Sequence, residues 1–212
     1  MRFNLVRKFL ASAQQFGLFN SIKIALRFRL KFIVFTQKFN IFYLAKTLPA
    51  KDANQSLIKS IEVIGFNGES TKMAIGRELV PNETLFLKRQ DGKVLGHALT
   101  QEGGKYQLSY ALNIKLPQNI ILLKGLYVNI SERGKGLGLA LNYARILYFK
   151  NKSNIYTTTM SENSVAGKNL EKAGFEFCGQ LDYVSFFGKT LRLKFFPNGT
   201  DSQIHAWWNN LK

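Results

Sequence analysis

The run Leu126-Tyr-Val-Asn-Ile-Ser-Glu-Arg-Gly-Lys-Gly-Leu-Gly-Leu-Ala-Leu141 carries an apolar strand into a glycine-rich turn that opens a helix. Gly134, Gly136 and Gly138 lack a Cβ, so successive backbone N–H groups can turn toward one point, and the helix that follows adds the positive end of its dipole. That combination binds anions, phosphate above all, and Arg133 and Lys135 place full charges at its rim. The dinucleotide fingerprint needs G-x-G-x-x-G, and the P-loop needs G-x-x-x-x-G-K followed by Ser or Thr. Here Lys135 is followed by Gly136, and neither spacing fits. Glycines after a strand also make a tight strand-to-helix connection, so the loop alone leaves both readings open.

The surrounding residues supply further parts. Leu137 to Phe149 reads as a helix and Asn154-Ile-Tyr-Thr-Thr-Thr-Met160 as a β-branched strand. Ser161 to Glu176 follows, and then a hairpin of Phe177 to Phe186, a turn at 187–189, and Thr190 to Phe196. Arg133, Gly136 and Gly138 fill the defined places of R/Q-x-x-G-x-G/A. Asn163, Ala166, Glu171, Lys172, Gly174 and Phe175 match N-x-x-A-x-x-L-Y-E-K-x-G-F. On these residues the chain resembles the GNAT superfamily, the acyl-CoA-dependent N-acyltransferases, over roughly residues 82 to 196.

The resemblance implies a mixed α/β fold: a central, mostly antiparallel mixed sheet flanked by helices, with a splayed parallel strand pair at the cofactor site. It implies acetyl-CoA or another acyl-CoA as cosubstrate and no metal. Leu126, Tyr127 and Val128 would offer backbone groups to pantetheine and the thioester oxygen. Arg133, Gly134, Lys135, Gly136, Leu137 and Gly138 would surround the pyrophosphate, and Asn163 would hydrogen-bond the cofactor arm.

Aminolysis of a thioester needs a neutral amine, a donor for the oxyanion and a proton for the departing thiolate. Many members of the family place a Tyr seven residues after the matched Asn as that acid, and here the place holds Leu170. Members with a glutamate base use positions that here hold Leu122 or Thr158. The local candidates are His97, which titrates in the useful range, and Tyr127. A lone strand His is also an ordinary structural residue, and Tyr127 could face either the acceptor or the core. The expected activity is transfer of acetyl, or another acyl group, to an amine of unknown identity. The alternatives are a non-catalytic CoA-binding protein on the same fold and a long-chain acyltransferase using acyl-CoA or an acyl carrier protein.

The chain has 212 residues, 46% of them hydrophobic, enough for one domain with an appended segment. Its one cysteine, Cys178, excludes an internal disulfide and reads as a buried, inert thiol, which suits a reducing compartment. No run approaches the roughly 18 apolar residues needed to span a bilayer. The apolar core of the N-terminus falls short of the about seven residues a signal peptide needs. A cytoplasmic location follows, with a peripheral place at the membrane as its variant.

The net charge of +17 is uneven. Residues 1–51 hold ten Lys or Arg and no acid, whereas 52–212 hold twenty basic and thirteen acidic residues. Half of the eighteen phenylalanines precede Tyr43. As a helix, Ile22, Leu26, Leu30 and Ile33 make one stripe beside Lys23, Arg27 and Lys31. Such a segment can pack on the domain with its charges solvated, or meet anionic lipid or an acidic protein. Nucleic acid is disfavoured, because the aromatics are interleaved with aliphatics and do not form a stacking platform. The organisation expected is a basic, Phe-rich amphipathic segment at 1–37, a GNAT-like domain at 38–198, and a tail at 199–212 that reads as helical.

Between these parts, 38–48 reads as a strand. Asp52 reads as the N-cap of a helix closed by Gly65, and 71–79 as a shorter helix. Asp91-Gly92 marks a hairpin between Thr84–Gln90 and Lys93–Thr100. Gly103-Gly104 reads as another reversal, 105–116 as extended, and Asn119–Ile130 as the strand feeding the glycine loop.

Overall fold

The computed structural model describes residues 34–45, 54–66, 71–109, 112–152, 154–187 and 189–198. The segment expected to be amphipathic at 1–37 lies outside them as far as residue 33, as do the tail expected from 199 and the expected Asp52 cap. In chain order the elements are β1 (Val34–Leu44), α1 (Gln55–Lys59), β2 (Glu62–Gly65), α2 (Lys72–Ile75), β3 (Glu83–Gln90), β4 (Lys93–Ser109) and β5 (Leu112–Val128). A short 3-10 turn (Ile130–Glu132) leads to α3 (Leu137–Tyr148), β6 (Asn154–Met160), α4 (Ser164–Lys172), β7 (Phe175–Phe186) and β8 (Lys189–Pro197).

All eight strands join one sheet in the order β2-β3-β4-β5-β6-β1-β7-β8. Every pairing is antiparallel except β5 with β6, which run parallel from Ile120↔Asn154 to Leu123↔Thr157. The expected mixed sheet with one parallel pair is therefore present. β1 starts at Val34 and lies between β6 and β7, pairing Phe42 with Thr157 on one side and Phe177 on the other. Strands adjacent in sequence across α4 are thus separated in space by the first strand of the sheet.

One face is covered by helices. Ile58 of α1, Leu141 and Ile146 of α3, and Leu170 of α4 bury Phe86, Ala98, Ile121, Leu123 and Phe175. The opposite face is covered partly by the chain's own strands. Beyond Gly103 (φ 59°) and Gly104 (φ 80°), β4 and β5 bend together, and their outer halves lay Leu108, Leu112, Ile114 and Leu116 over Phe39, Ile41, Leu122, Tyr156 and Tyr183. Ser109 Oγ reaches Gln37 Oε1 of β1 at 3.2 Å. Gln101 Nε2 pins the bend by donating to the carbonyls of Gly103 (2.9 Å) and Lys105 (2.8 Å).

Four local expectations change. Gly103-Gly104 does not reverse the chain: β4 continues to Ser109, and the glycines make a bulge between Glu102 and Gly104. The helix expected up to Gly65 is the short α1, with Asn54 Oδ1 accepting from Leu57 N at 3.2 Å. Glu62–Gly65 instead pairs with Thr84–Leu87 as an edge strand, since Ile61 and Ile64 satisfy either period and a free ladder was available. The helix expected over 71–79 closes at Ile75, where Gly76 takes φ 77°. The first strand lies at Val34–Leu44, earlier than expected, because it runs the full length of β7. Cys178 is buried as expected, its thiol donating to the Ile41 carbonyl at 3.2 Å.

Candidate active site

The parallel pair opens at one point. β5 and β6 are paired through Leu123↔Thr157, and past that point β5 stays on β4 through Gly96↔Val128 while β6 stays on β1 through Met160↔Phe39. The outer stretch of β5, from Lys124 to Val128, has no strand partner on its β6 side among the described residues. Leu126 and Tyr127 are exposed there. An extended backbone with a free edge is a natural docking rail for an extended polar arm.

A bulge creates this divergence. Between His97↔Tyr127 and Leu99↔Lys124, β5 carries one more residue than β4, and Gly125 absorbs the extra length at φ 59°. The residue before the glycine is held from both faces of the sheet. On the helical face, Arg145 of α3 donates from Nη1 to the carbonyls of Leu99 (3.1 Å) and Lys124 (3.2 Å) and from Nη2 to Asn142 Oδ1. Burial pulls the Arg145 guanidinium down to about 9, so it stays charged at neutral pH. On the other face, the Lys124 ammonium lies 2.5 Å from Glu83, donates to Gln101 Oε1 and sits 4.9 Å from the Tyr106 ring centroid. Arg77 makes a two-pronged pair with the same Glu83 carboxylate at 2.7 and 2.8 Å, and the Val80 amide adds a third donor. Burial alone would push the Glu83 carboxyl up. The donors from Arg77, Lys124 and Val80 outweigh it and hold the group at about 2.

The glycine loop continues from this rail. Gly134 (φ 80°) and Gly136 (φ 83°) lie in the left-handed region, and Gly136 is the N-cap of α3 with no side chain capping it. Ala140 is the residue that bonds back to the Gly136 carbonyl (3.0 Å), so the amides of Leu137, Gly138 and Leu139 belong to the unsatisfied first turn of a helix. A Cβ at Gly134 or Gly136 would meet nothing within 4 Å. Both glycines therefore answer to backbone conformation and leave open space in front of the loop. Arg133 folds back, its Nε donating to the Val128 carbonyl at 3.3 Å. Lys135 is paired with Glu132 at 3.1 Å, so that carboxylate offsets one of the two rim charges.

Asn163 stands at the mouth of the cleft as the N-cap of α4, its Oδ1 accepting from Ala166 N at 3.1 Å. The amide group is what remains for a ligand. Leu170, at the place of the family's acid, is buried among α3 and β7 side chains, and Leu122 is fully buried under the bent hairpin. Neither can carry a proton. His97 and Tyr127 are brought together on adjacent strands: their rings stack with centroids 5.2 Å apart, and Tyr127 is 46% exposed. Burial lowers the His97 pKa, and its Nδ1 finds no hydrogen-bond partner among the described residues. Tyr156 and Tyr183 are core residues, and Tyr143 is buried with its hydroxyl donating to the Lys172 carbonyl at 3.2 Å. Among the described residues, no group of three His, Cys, Asp or Glu could hold a metal ion, and no helix is long and apolar enough to cross a membrane.

Sequence reasoning missed Arg145 and the Arg77–Glu83–Lys124 group. Arg145 lies in an otherwise apolar helix, and a charged residue on the buried stripe was the available signal.

A strand-bulge rail, a parallel pair that opens beside it and a glycine loop leading into a helix define a GNAT-type fold. The model of the acetyltransferase (GNAT) family matches residues 54–175, and the chain belongs to that family. A GNAT-family protein from Novosphingobium aromaticivorans superposes with a TM-score of 0.52 at 14% identity, over 78% of this chain and 67% of that one, and shares the fold. A GCN5-related N-acetyltransferase-like protein from Streptococcus suis gives 0.49 at 12% identity, over 81% and 68%. An aminoglycoside N-acetyltransferase crystallised with CoA gives 0.37 at 21% identity, over 57% and 79%. No protein of curated function matches the chain.

Proposed function

We propose that this protein transfers an acyl group, most simply acetyl, from acyl-CoA to an amine. The observation that carries the proposal is the continuity of the free β5 edge at Leu126–Val128 with the open loop of Gly134 to Gly138. It forms a backbone rail that ends at a helix N-terminus, and its free polar groups suit a pantetheine arm joined to a pyrophosphate. Leu126, Tyr127 and Val128 hold the arm. Arg133, Gly134, Lys135, Gly136, Leu137 and Gly138 hold the phosphates, and the Asn163 amide group closes on the arm from the β6 side. When bound, the cosubstrate supplies an activated thioester carbonyl.

The chain's own part in the reaction is to bind, to orient and to move a proton. His97, kept neutral by burial, is the proton acceptor for the attacking amine, and the exposed Tyr127 ring stacks beside it. A thiolate is a good leaving group, so positioning can replace a dedicated acid where Leu170 stands. That same buried Leu170 supports a second reading, in which the fold keeps CoA affinity without turnover and docks through its basic N-terminus.

The test is calorimetric titration with acetyl-CoA, with ATP as a polyanion control and Gly136→Asp as a loop control, followed by an amine-acceptor screen. Saturable binding that ATP does not reproduce and Gly136→Asp abolishes supports the site, and turnover in the screen decides between the two readings. Equal binding of ATP, or indifference to Gly136→Asp, overturns both.

A further inference from the structure

The β7–β8 hairpin ends in a feature that folding does not explain. Phe187 has φ 45°, in the left-handed region where a bulky side chain is strained, and its ring is 66% exposed. Phe186 meets it edge to face with centroids 4.6 Å apart and is 41% exposed, and Leu191, just across the turn, is 64% exposed. Asn or Gly at 187 would relieve the backbone, and a polar side chain would relieve the exposure. Single exposed apolar residues need no explanation, but three large ones gathered on a strained tip mark a surface for a partner.

The charges around the tip say which partner. Lys189 pairs with Phe186 across the turn, and β8 carries Lys189, Arg192 and Lys194 with no acid. On the other side of β7, Val34 pairs with Phe186, so β1 begins at this same tip. Residues 1–33 hold seven Lys or Arg, six Phe and no Asp or Glu. The residues that precede Val34 in the sequence are thus its most basic, Phe-rich part.

We propose that this tip docks the protein on an anionic lipid bilayer: Phe186, Phe187 and Leu191 enter the interface, and Lys189 and Arg192 meet the lipid phosphates. A bilayer accepts protruding apolar side chains without a matching pocket, and anionic headgroups attract clustered Lys and Arg. An acidic protein would have to offer a cavity shaped for two aromatic rings held at a fixed angle. The proposal does not depend on acyl transfer, and its test uses none.

The experiment is co-sedimentation of the full chain with phosphatidylcholine vesicles that contain or lack phosphatidylglycerol, at low and raised salt. It compares wild type with Phe187→Asn and Leu191→Thr and measures the Tm of each. Asn tolerates the left-handed conformation, so Phe187→Asn is expected to keep or raise Tm while lowering the partition coefficient about tenfold. Leu191→Thr keeps the strand and lowers it in the same direction. Wild-type binding that requires phosphatidylglycerol and weakens with salt completes the expected result. Failure of wild type to bind, equal binding to both vesicles, or unchanged binding by both variants overturns the proposal. So does a fall in Tm for Phe187→Asn, because the ring would then be packing on the protein itself.

Discussion

His97 and Tyr127 face each other across the β4–β5 ladder with their rings 26° from parallel, and the stack lies where β5 stays paired with β4. Burial penalises the imidazolium, so the folded pKa of His97 lies below 6.5 and the neutral base persists to lower pH than in a free histidine. The rate of acyl transfer is therefore expected to rise with pH through a midpoint below 6.5 and then level off. Replacing His97 by Gln should lower kcat by about 10²- to 10⁴-fold, the usual contribution of a general base, and leave acetyl-CoA affinity unchanged. A pH–rate profile of wild type beside calorimetry of the variant checks both. An unshifted kcat would return His97 to a purely structural role.

Gly136 and Gly138 answer to different requirements. A Cβ at Gly138 would stand 3.7 Å from Val128 Cγ2, an ordinary contact, and Gly138 is not among the residues with positive φ. The fold alone thus permits Ala. In a helix interior Ala is more favourable than Gly by roughly 0.5–1 kcal/mol. Gly138→Ala, at the place where the R/Q-x-x-G-x-G/A pattern admits Ala, is expected to hold or raise Tm and to leave acetyl-CoA binding nearly unchanged, whereas Gly136→Ala, forced into the left-handed region at φ 83°, should lower both. Thermal unfolding and titration of the two variants check this.

The contrast between local and distant information explains what could be read from the chain beforehand. Asp91-Gly92, both with positive φ, the glycine loop and the β7–β8 turn are local devices whose chemistry is written in adjacent residues. The place of β1 between β6 and β7 is not local. Phe39, Ile41 and Phe42 declare a strand buried on both faces and say nothing about which strands flank it. The bend at Gly103 was misread as a reversal because a glycine pair serves a bulge as well as a turn. The polar clamp around Lys124 was invisible for a different reason: Arg77, Glu83 and Lys124 lie far apart in sequence, and only their burial reveals that they answer one another.

That clamp makes stability depend on pH in a defined direction. Glu83, its side chain only 1% exposed, is held at about 2 in the fold against 4.5 without it. A depressed carboxylate pKa contributes stability that is fully present above the unfolded value and is lost as pH falls through the folded one. The difference of about 2.5 units corresponds to about 3 kcal/mol, lost between roughly pH 4.5 and pH 2. Glu83→Gln should remove that dependence and lower stability at pH 7 by about 3–5 kcal/mol, because it leaves Lys124 buried without its counter-charge. Urea unfolding at several pH values measures both.

Arg145 sets two costs against each other. Replacing it by Met leaves the carbonyls of Leu99 and Lys124 without donors, at about 1–3 kcal/mol each. The same change relieves the desolvation of a buried guanidinium that has no carboxylate beside it among the described residues, worth several kcal/mol in the opposite direction. These terms nearly cancel, so Arg145→Met is expected to move Tm by only a few degrees. The geometry does not cancel. Without a donor on the Lys124 carbonyl, the bulge at Gly125 loses the contact that aims the next residues, and Leu126 to Val128 lie immediately beyond it. Acetyl-CoA affinity should fall about tenfold, the equivalent of one hydrogen bond to a misplaced amide. Arg145→Lys, which keeps one charged donor in the same space, should fall between Met and wild type. Calorimetric titration of the three proteins beside their melting curves decides the matter: a collapse of Tm with binding following it would make Arg145 a core residue, whereas loss of binding at constant Tm makes it the residue that holds the cleft open.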